Sequence, residues 1–91
     1  MLPSSLSPKT QSAILTEAEQ FDDILLDQFT LLCKYCESEN DFIAEALKLA
    51  KGMLHYDEDE MDELFLGEPP SIVEFHEVLG RIVGNIEGGK L

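Results

Sequence analysis

The sequence predicts an all-α protein, a compact bundle of four short amphipathic helices, or five if the stretch from Pro8 to about Leu15 is helical as well. Three observations predict it. Apolar residues recur at three- and four-residue spacing over most of the chain. No segment alternates apolar and polar residues as a half-buried strand does, and β-branched residues are sparse ahead of the last helix. Two of the periodic stretches open on a hydroxyl residue followed three places later by glutamate, the pattern of a capping box.

Residues 1–7 read as a flexible polar leader, and residues 8–91 as a single helical domain. Ser7-Pro8 offers an N-cap with proline in the first helical position. Thr16-Glu17-Ala18-Glu19 is the first capping box and sets the expected start of the main first helix, which runs to about Glu37. Spacing its residues about 100° apart gathers Ala18, Phe21, Ile24, Leu25, Phe29, Leu31, Leu32, Tyr35 and Cys36 on one side, with Glu19, Asp23, Asp27, Thr30 and Lys34 opposite.

Ser38 to Asp41 interrupts that pattern with capping side chains. Phe42, Ile43, Ala46, Leu47, Leu49, Ala50, Met53 and Leu54 then span an arc of roughly 160°, wide enough to meet two neighbouring helices. A shorter helix follows, with Met61, Leu64 and Phe65 on one face and carboxylates at the positive end of its dipole. Gly67 can supply a left-handed stop, and Pro69-Pro70 prevents continuation. Ser71-Ile72-Val73-Glu74 is the second capping box, opening a last helix with Ile72, Phe75, Leu79, Ile82, Val83 and Ile86 on one side, which Gly88-Gly89 ends.

A chain of 91 residues builds a modest core, which argues against a deep catalytic cleft. At 44% hydrophobic residues it is nonetheless the composition of a folded protein. No apolar run is long enough for a membrane span, and the N-terminal residues lack a signal-peptide pattern, so a cytoplasmic location is expected. The net charge of -13 disfavours direct binding to nucleic acid or anionic lipid and favours basic protein surfaces.

That charge is concentrated. Asp57, Glu58, Asp59, Glu60, Asp62, Glu63 and Glu68 place seven carboxylates in twelve residues, and no lysine or arginine occurs between Gly52 and Gly80. Such crowding opposes folding by self-repulsion, so a partner-binding role competes evenly with simple solubility as its explanation. As an EF-hand loop the run fails. Asp57, Asp59, Leu64 and Glu68 fall on suitable positions, but Met61 stands where an oxygen ligand is needed and Asp62 where glycine makes the turn.

Cys33-Lys34-Tyr35-Cys36 has CxxC spacing without the second ligand pair or strand-to-helix setting of zinc and redox sites. The helical projection puts Cys36 in the core and Cys33 at its margin, about 60° away. His55 and His76 match no zinc spacing, so neither a metal nor another cofactor is expected. His76 projects into the apolar side of the last helix, as a partly buried histidine with one hydrogen-bond partner. Val73, His76, Gly80 and Gly84 also form a low-relief strip that could admit another helix, from within the fold or from a second subunit. No phosphate loop, HExxH motif or activated nucleophile is present, and the carboxylates lack the apolar surroundings of an acid catalyst. No catalytic residues are assigned.

In size, acidity and helical layout the chain resembles the colicin immunity proteins, small acidic inhibitors of basic nucleases, and Thr16-Glu17-Ala18-Glu19 resembles their first-helix start. It departs from them in lacking adjacent tyrosines ahead of a proline, Tyr56 standing alone, and in the length of its first helix; no residue role transfers. The leading expectation is a regulatory or inhibitory protein that binds a basic surface on a protein partner, with nucleic-acid mimicry as one form of it. Asp57 to Glu63 and Glu68 would supply attraction, and Met61, Leu64 and Phe65 contact area. The alternatives are a homodimeric structural or adaptor module and a low-affinity calcium-binding protein.

Overall fold

Ser7, Asp22, Ser38, Asp57 and Ser71 each turn a side-chain oxygen onto a free amide at a helix start, and these five caps divide the chain. The computed structural model describes residues 6–89 and is helical throughout, with no strand among the described residues. Helix α1 (Pro8–Thr10) passes into a π-helical segment, π1 (Gln11–Thr16), and then into α2 (Glu17–Phe21). α3 (Asp23–Leu32), α4 (Glu39–Met53), α5 (Glu58–Leu64) and α6 (Ile72–Glu87) follow.

The first long helix differs from expectation at both ends. Thr16 lies inside a continuous helical run, with φ -66° and ψ -40°, and makes no side-chain cap bond. The start is instead at Ser7-Pro8, where the Thr10 amide donates to Ser7 Oγ at 3.3 Å. Asp22 then breaks the run with extended backbone, φ -166° and ψ 142°. Its own amide still closes α2 on the Ala18 carbonyl at 3.0 Å, while its Oδ1 accepts from the Ile24 amide at 2.8 Å to open α3. One residue is both C-cap and N-cap, so the chain turns a corner without a loop.

That corner resets the phase of the apolar face. Within α3, Leu25 and Phe29 are fully buried and the line continues to Cys33, which is 5% exposed. Cys36 is only half-buried, and Leu31 and Tyr35 are exposed, at 42% and 79%. The expected order of the cysteines is thereby reversed, because the projection assumed one unbroken helix from Thr16. α3 also ends at Leu32, leaving Tyr35 in a turn.

α4 buries Phe42, Ala46, Ala50 and Met53, a narrower stripe than expected, with Ile43, Leu47, Leu49 and Leu54 half-buried beside it. Its most extensive packing is against α6, whose Phe75, Val78, Leu79 and Ile82 are fully buried. Phe75 gathers the remaining elements: its ring lies 6.1 Å from Phe21, 6.5 Å from Tyr56 and 5.6 Å, edge-on, from Phe65. The Cα radius of gyration, 12.6 Å, is near the ~12 Å of a compact domain of this length.

Residues 1–5, most of the expected leader, lie outside the described residues. Leu6 is 4% exposed and belongs to the core, and the Ser7 amide donates to Glu39 Oε1 at 2.6 Å. Thr10, a buried polar residue, has its Oγ1 3.0 Å from Ser7 Oγ. Glu39 opens α4, so its carboxylate ties the N-terminal run to that helix and suits the positive end of the α4 dipole.

The Ser7 backbone donor, followed by the Thr10 and Ser7 hydroxyls, holds the Glu39 carboxyl below its ordinary pKa despite opposing desolvation. A carboxyl whose pKa is lower folded than unfolded contributes stability above its unfolded pKa and loses it as pH falls through the folded value. Glu39→Gln is therefore expected to lower the urea midpoint at neutral pH, with the difference from the parent shrinking progressively below about pH 4.5. Parallel urea titrations across pH 2.5 to 7 check this.

Candidate functional site

The acidic segment is a short helix with a closed start. Asp57 caps α5 from extended backbone, its Oδ1 accepting from the Glu60 amide at 2.9 Å. Glu60 Oε1 accepts from the Asp57 amide at 3.2 Å, which completes a reciprocal capping box. At Ser71, where a box was expected, the structure shows the Ser71 half alone, Oγ accepting from the Glu74 amide at 3.4 Å. Asp57 and Glu60 thus have a structural task that the count of charges did not reveal.

The helix stops as firmly as it starts. Gly67 N–H donates to the Asp62 carbonyl at 2.8 Å and Leu66 N–H to the Glu63 carbonyl at 3.4 Å, the two bonds of a Schellman motif. Gly67, at φ +85°, is left-handed as expected. Leu66 is left-handed too, at φ +56°, a conformation that costs a non-glycine residue about 1–2 kcal/mol. Its side chain is 83% exposed.

Met61 and Phe65, one turn apart, are 1% and 2% exposed and anchor α5 to the core. Leu64 is half-buried. The expectation that these three present contact area to a partner is corrected for Met61 and Phe65: the same face that makes the helix amphipathic is spent on Phe75 and its neighbours. What α5 presents outward is Glu58, Asp59, Asp62 and Glu63, all exposed, with Glu68 beyond the helix end. Among the described residues these five make no side-chain hydrogen bond or ion pair; the ion pairs present join Lys51 to Glu87 at 2.7 Å and Arg81 to Glu17 at 3.0 Å.

Beside them lies a groove of about 340 Å³, walled by Glu58, Asp59, Met61 and Asp62 on one side and Pro69, Pro70 and Ile72 on the other. Proline bodies and carboxylates make a wall that is apolar and negative together. No three His, Cys, Asp or Glu side chains converge to hold a metal ion among the described residues.

The strip on α6 is placed differently from expectation. Val73 is 63% exposed, and a Cβ built on Gly80 or Gly84 would meet nothing within 4 Å, so no helix of this fold packs closely there. His76 is half-buried, and its Nε2 has no hydrogen-bond partner among the described residues, in place of the one expected. Both cysteines are free. Burial pushes the Cys33 thiol up, with Cys36 adding to it; burial, then Glu45 and Asp41, push Cys36 up. Raised thiols are poor nucleophiles and poor metal ligands.

Two surface features lay beyond the sequence reading: the exposed left-handed Leu66, and a groove of about 590 Å³ along π1 between Ser12, Thr16 and Asn85. Asn85 Nδ2 donates to the Ala13 carbonyl at 3.0 Å, joining α6 to π1. Nothing in the residue types of Gln11 to Thr16 signals π geometry. No helix of the described residues is long and apolar enough to cross a membrane. Comparison with protein-family models, with curated proteins and with solved structures finds no significant match to this chain.

The carboxylates of α5 accordingly divide by position. Asp57→Ala removes a cap and is expected to cost about 1 kcal/mol. Asp62 and Glu63 sit in the last turn, at the negative end of the dipole, so Asp62→Asn and Glu63→Gln are each expected to raise stability by about 0.3–1 kcal/mol at low salt. Urea unfolding at low and high ionic strength tests both signs; the gain from the amides fades with salt, and the loss of the cap does not.

Proposed function

We propose that this protein, built as a compact bundle of four or five helices, is a small acidic regulatory or inhibitory protein that binds a basic surface on a protein partner. One observation carries the reading: Glu58, Asp59, Asp62, Glu63 and Glu68 are exposed, and among the described residues no base pairs with them and none of them makes a side-chain hydrogen bond. Asp62 and Glu63 even oppose their own helix dipole. A fold that holds them in fixed positions at such a cost is explained by a cationic partner that repays it. Binding rather than catalysis is the role, and mimicry of a nucleic acid on a basic target is a form of the same contact. Long-range attraction would set the association rate more than the final affinity.

A second reading, a homodimeric structural or adaptor module, is favoured by the strip of Val73, Gly80 and Gly84, which stands open at the surface. Sedimentation at micromolar concentration separates it from the first: a dimer supports the second reading, and a clean monomer removes it.

For the first reading the informative variant is Glu58→Gln, Asp59→Asn, Asp62→Asn and Glu63→Gln together, which leaves the Asp57–Glu60 box intact. With a partner recovered from the native host, the parent is expected to associate about tenfold or more faster at low than at high ionic strength, and the variant to lose most of that dependence. An association rate indifferent to salt in the parent contradicts the proposal.

A further inference from the structure

With Met61 and Phe65 buried, apolar contact area for a partner is also to be sought away from α5, and the structure offers two adjoining hollows along one face of α4, where it meets the end of α3. One cavity of about 310 Å³ is lined by Leu32, Leu49, Gly52 and Tyr56 with Glu45 and Lys48. A second, of about 450 Å³, is lined by Leu32, Tyr35, Cys36 and Ala44 with Asp41 and Glu45. The two share Leu32 and Glu45 and so lie side by side along α4. Tyr56, at one end, directly precedes the Asp57 cap of the acidic helix.

We infer that this groove along α4 receives an amphipathic helix of the partner protein, one with an apolar stripe flanked by lysine or arginine. Three features fit that occupant. Along α4 the groove extends from Asp41 to Met53, about 18 Å, or roughly three turns of a bound helix. Its floor is apolar and low, since Ala44 is exposed and a Cβ on Gly52 would meet nothing within 4 Å. Its rim is mostly acidic, with Asp41 and Glu45 close enough to Cys36 to raise its thiol and Lys48 as the counterpoint.

The charge also decides against other occupants. A second copy would bring a further net charge of -13 to a negative rim, and nucleic acid or an anionic membrane would be repelled in the same way. A basic helix is attracted by Asp41 and Glu45 on the rim, and Tyr56 of the lining directly precedes the acidic helix in the chain. The inference thus rests on the proposed function and adds to it the surface and the secondary structure that the partner presents.

The probe is a labelled peptide of about 14 residues, leucine at helical spacing and lysine elsewhere, with two controls. One is its scramble of identical composition; the other has glutamate for lysine. Ala44→Gln with Gly52→Gln fills the groove with neutral side chains at exposed positions, leaving the net charge unchanged. Fluorescence anisotropy is expected to show the patterned lysine peptide binding the parent about tenfold or more tighter than either control, and the filled variant losing that preference. Amide shifts on adding the peptide are expected at Leu32, Leu49 and Tyr56. Equal binding of the scramble, unchanged binding to the filled variant, or shifts confined to residues 58–68 would each overturn the groove. The last two leave the acidic-helix reading standing, whereas loss of salt dependence in the parent removes that reading by itself.

Discussion

Phe75 is the side chain on which the arrangement turns. Its ring is fully buried and meets rings from the end of α2, from the segment before α5 and from the end of α5. Elements far apart in the chain are thereby fixed to one point of α6, while α6 itself packs along α4. The acidic helix is held in place by this contact, since a helix of seven residues, five of them carrying like charges, would not stay helical alone. Its outward face is rigid because its inward face, Met61 and Phe65, is committed to the aromatic cluster.

Much of this was legible in the sequence, and the exceptions have physical causes. The all-helical class, the Ser7-Pro8 start, the buried stripe of Phe42, Ala46, Ala50 and Met53, and the left-handed Gly67 all follow from spacing and local chemistry. The long first helix did not, because Asp22 has no glutamate three residues on to mark it as a cap. Thr16 has the better flanking pattern, yet its backbone stays helical. Asp22, embedded in an apolar stretch, adopts the extended geometry that lets its carboxylate reach the Ile24 amide. Ending α2 at Phe21 leaves that ring 6.1 Å from Phe75. The exchange of Cys33 and Cys36 between core and margin is a direct result.

The candidate site was half legible. The run of carboxylates is plain in the sequence, and the structure leaves Glu58, Asp59, Asp62, Glu63 and Glu68 exposed. That Asp57 and Glu60 are occupied with each other's amides depends on where the helix begins, which charge density does not reveal. The apolar partners of those charges were misassigned for a related reason. A face of Met61, Leu64 and Phe65 can point to a core or to a partner, and periodicity is the same in both cases. The groove along α4 was hidden altogether, because the turn residues Tyr35 and Cys36 and the outlying Leu32 and Tyr56 are brought to that helix only in the folded chain.

The five side-chain caps bear on how freely this surface can change. Each acts over a single turn through a side-chain hydrogen bond of 2.8–3.4 Å, so the starts of the helices are marked locally, three of them by a neutral serine. Architecture and electrostatic character are largely separable here, and Asp22, Glu39, Asp57 and Glu60 are carboxylates in which they coincide. A lineage could therefore rewrite the outer face of the acidic helix, even reverse its sign, and so switch clientele while the scaffold beneath stayed as it is.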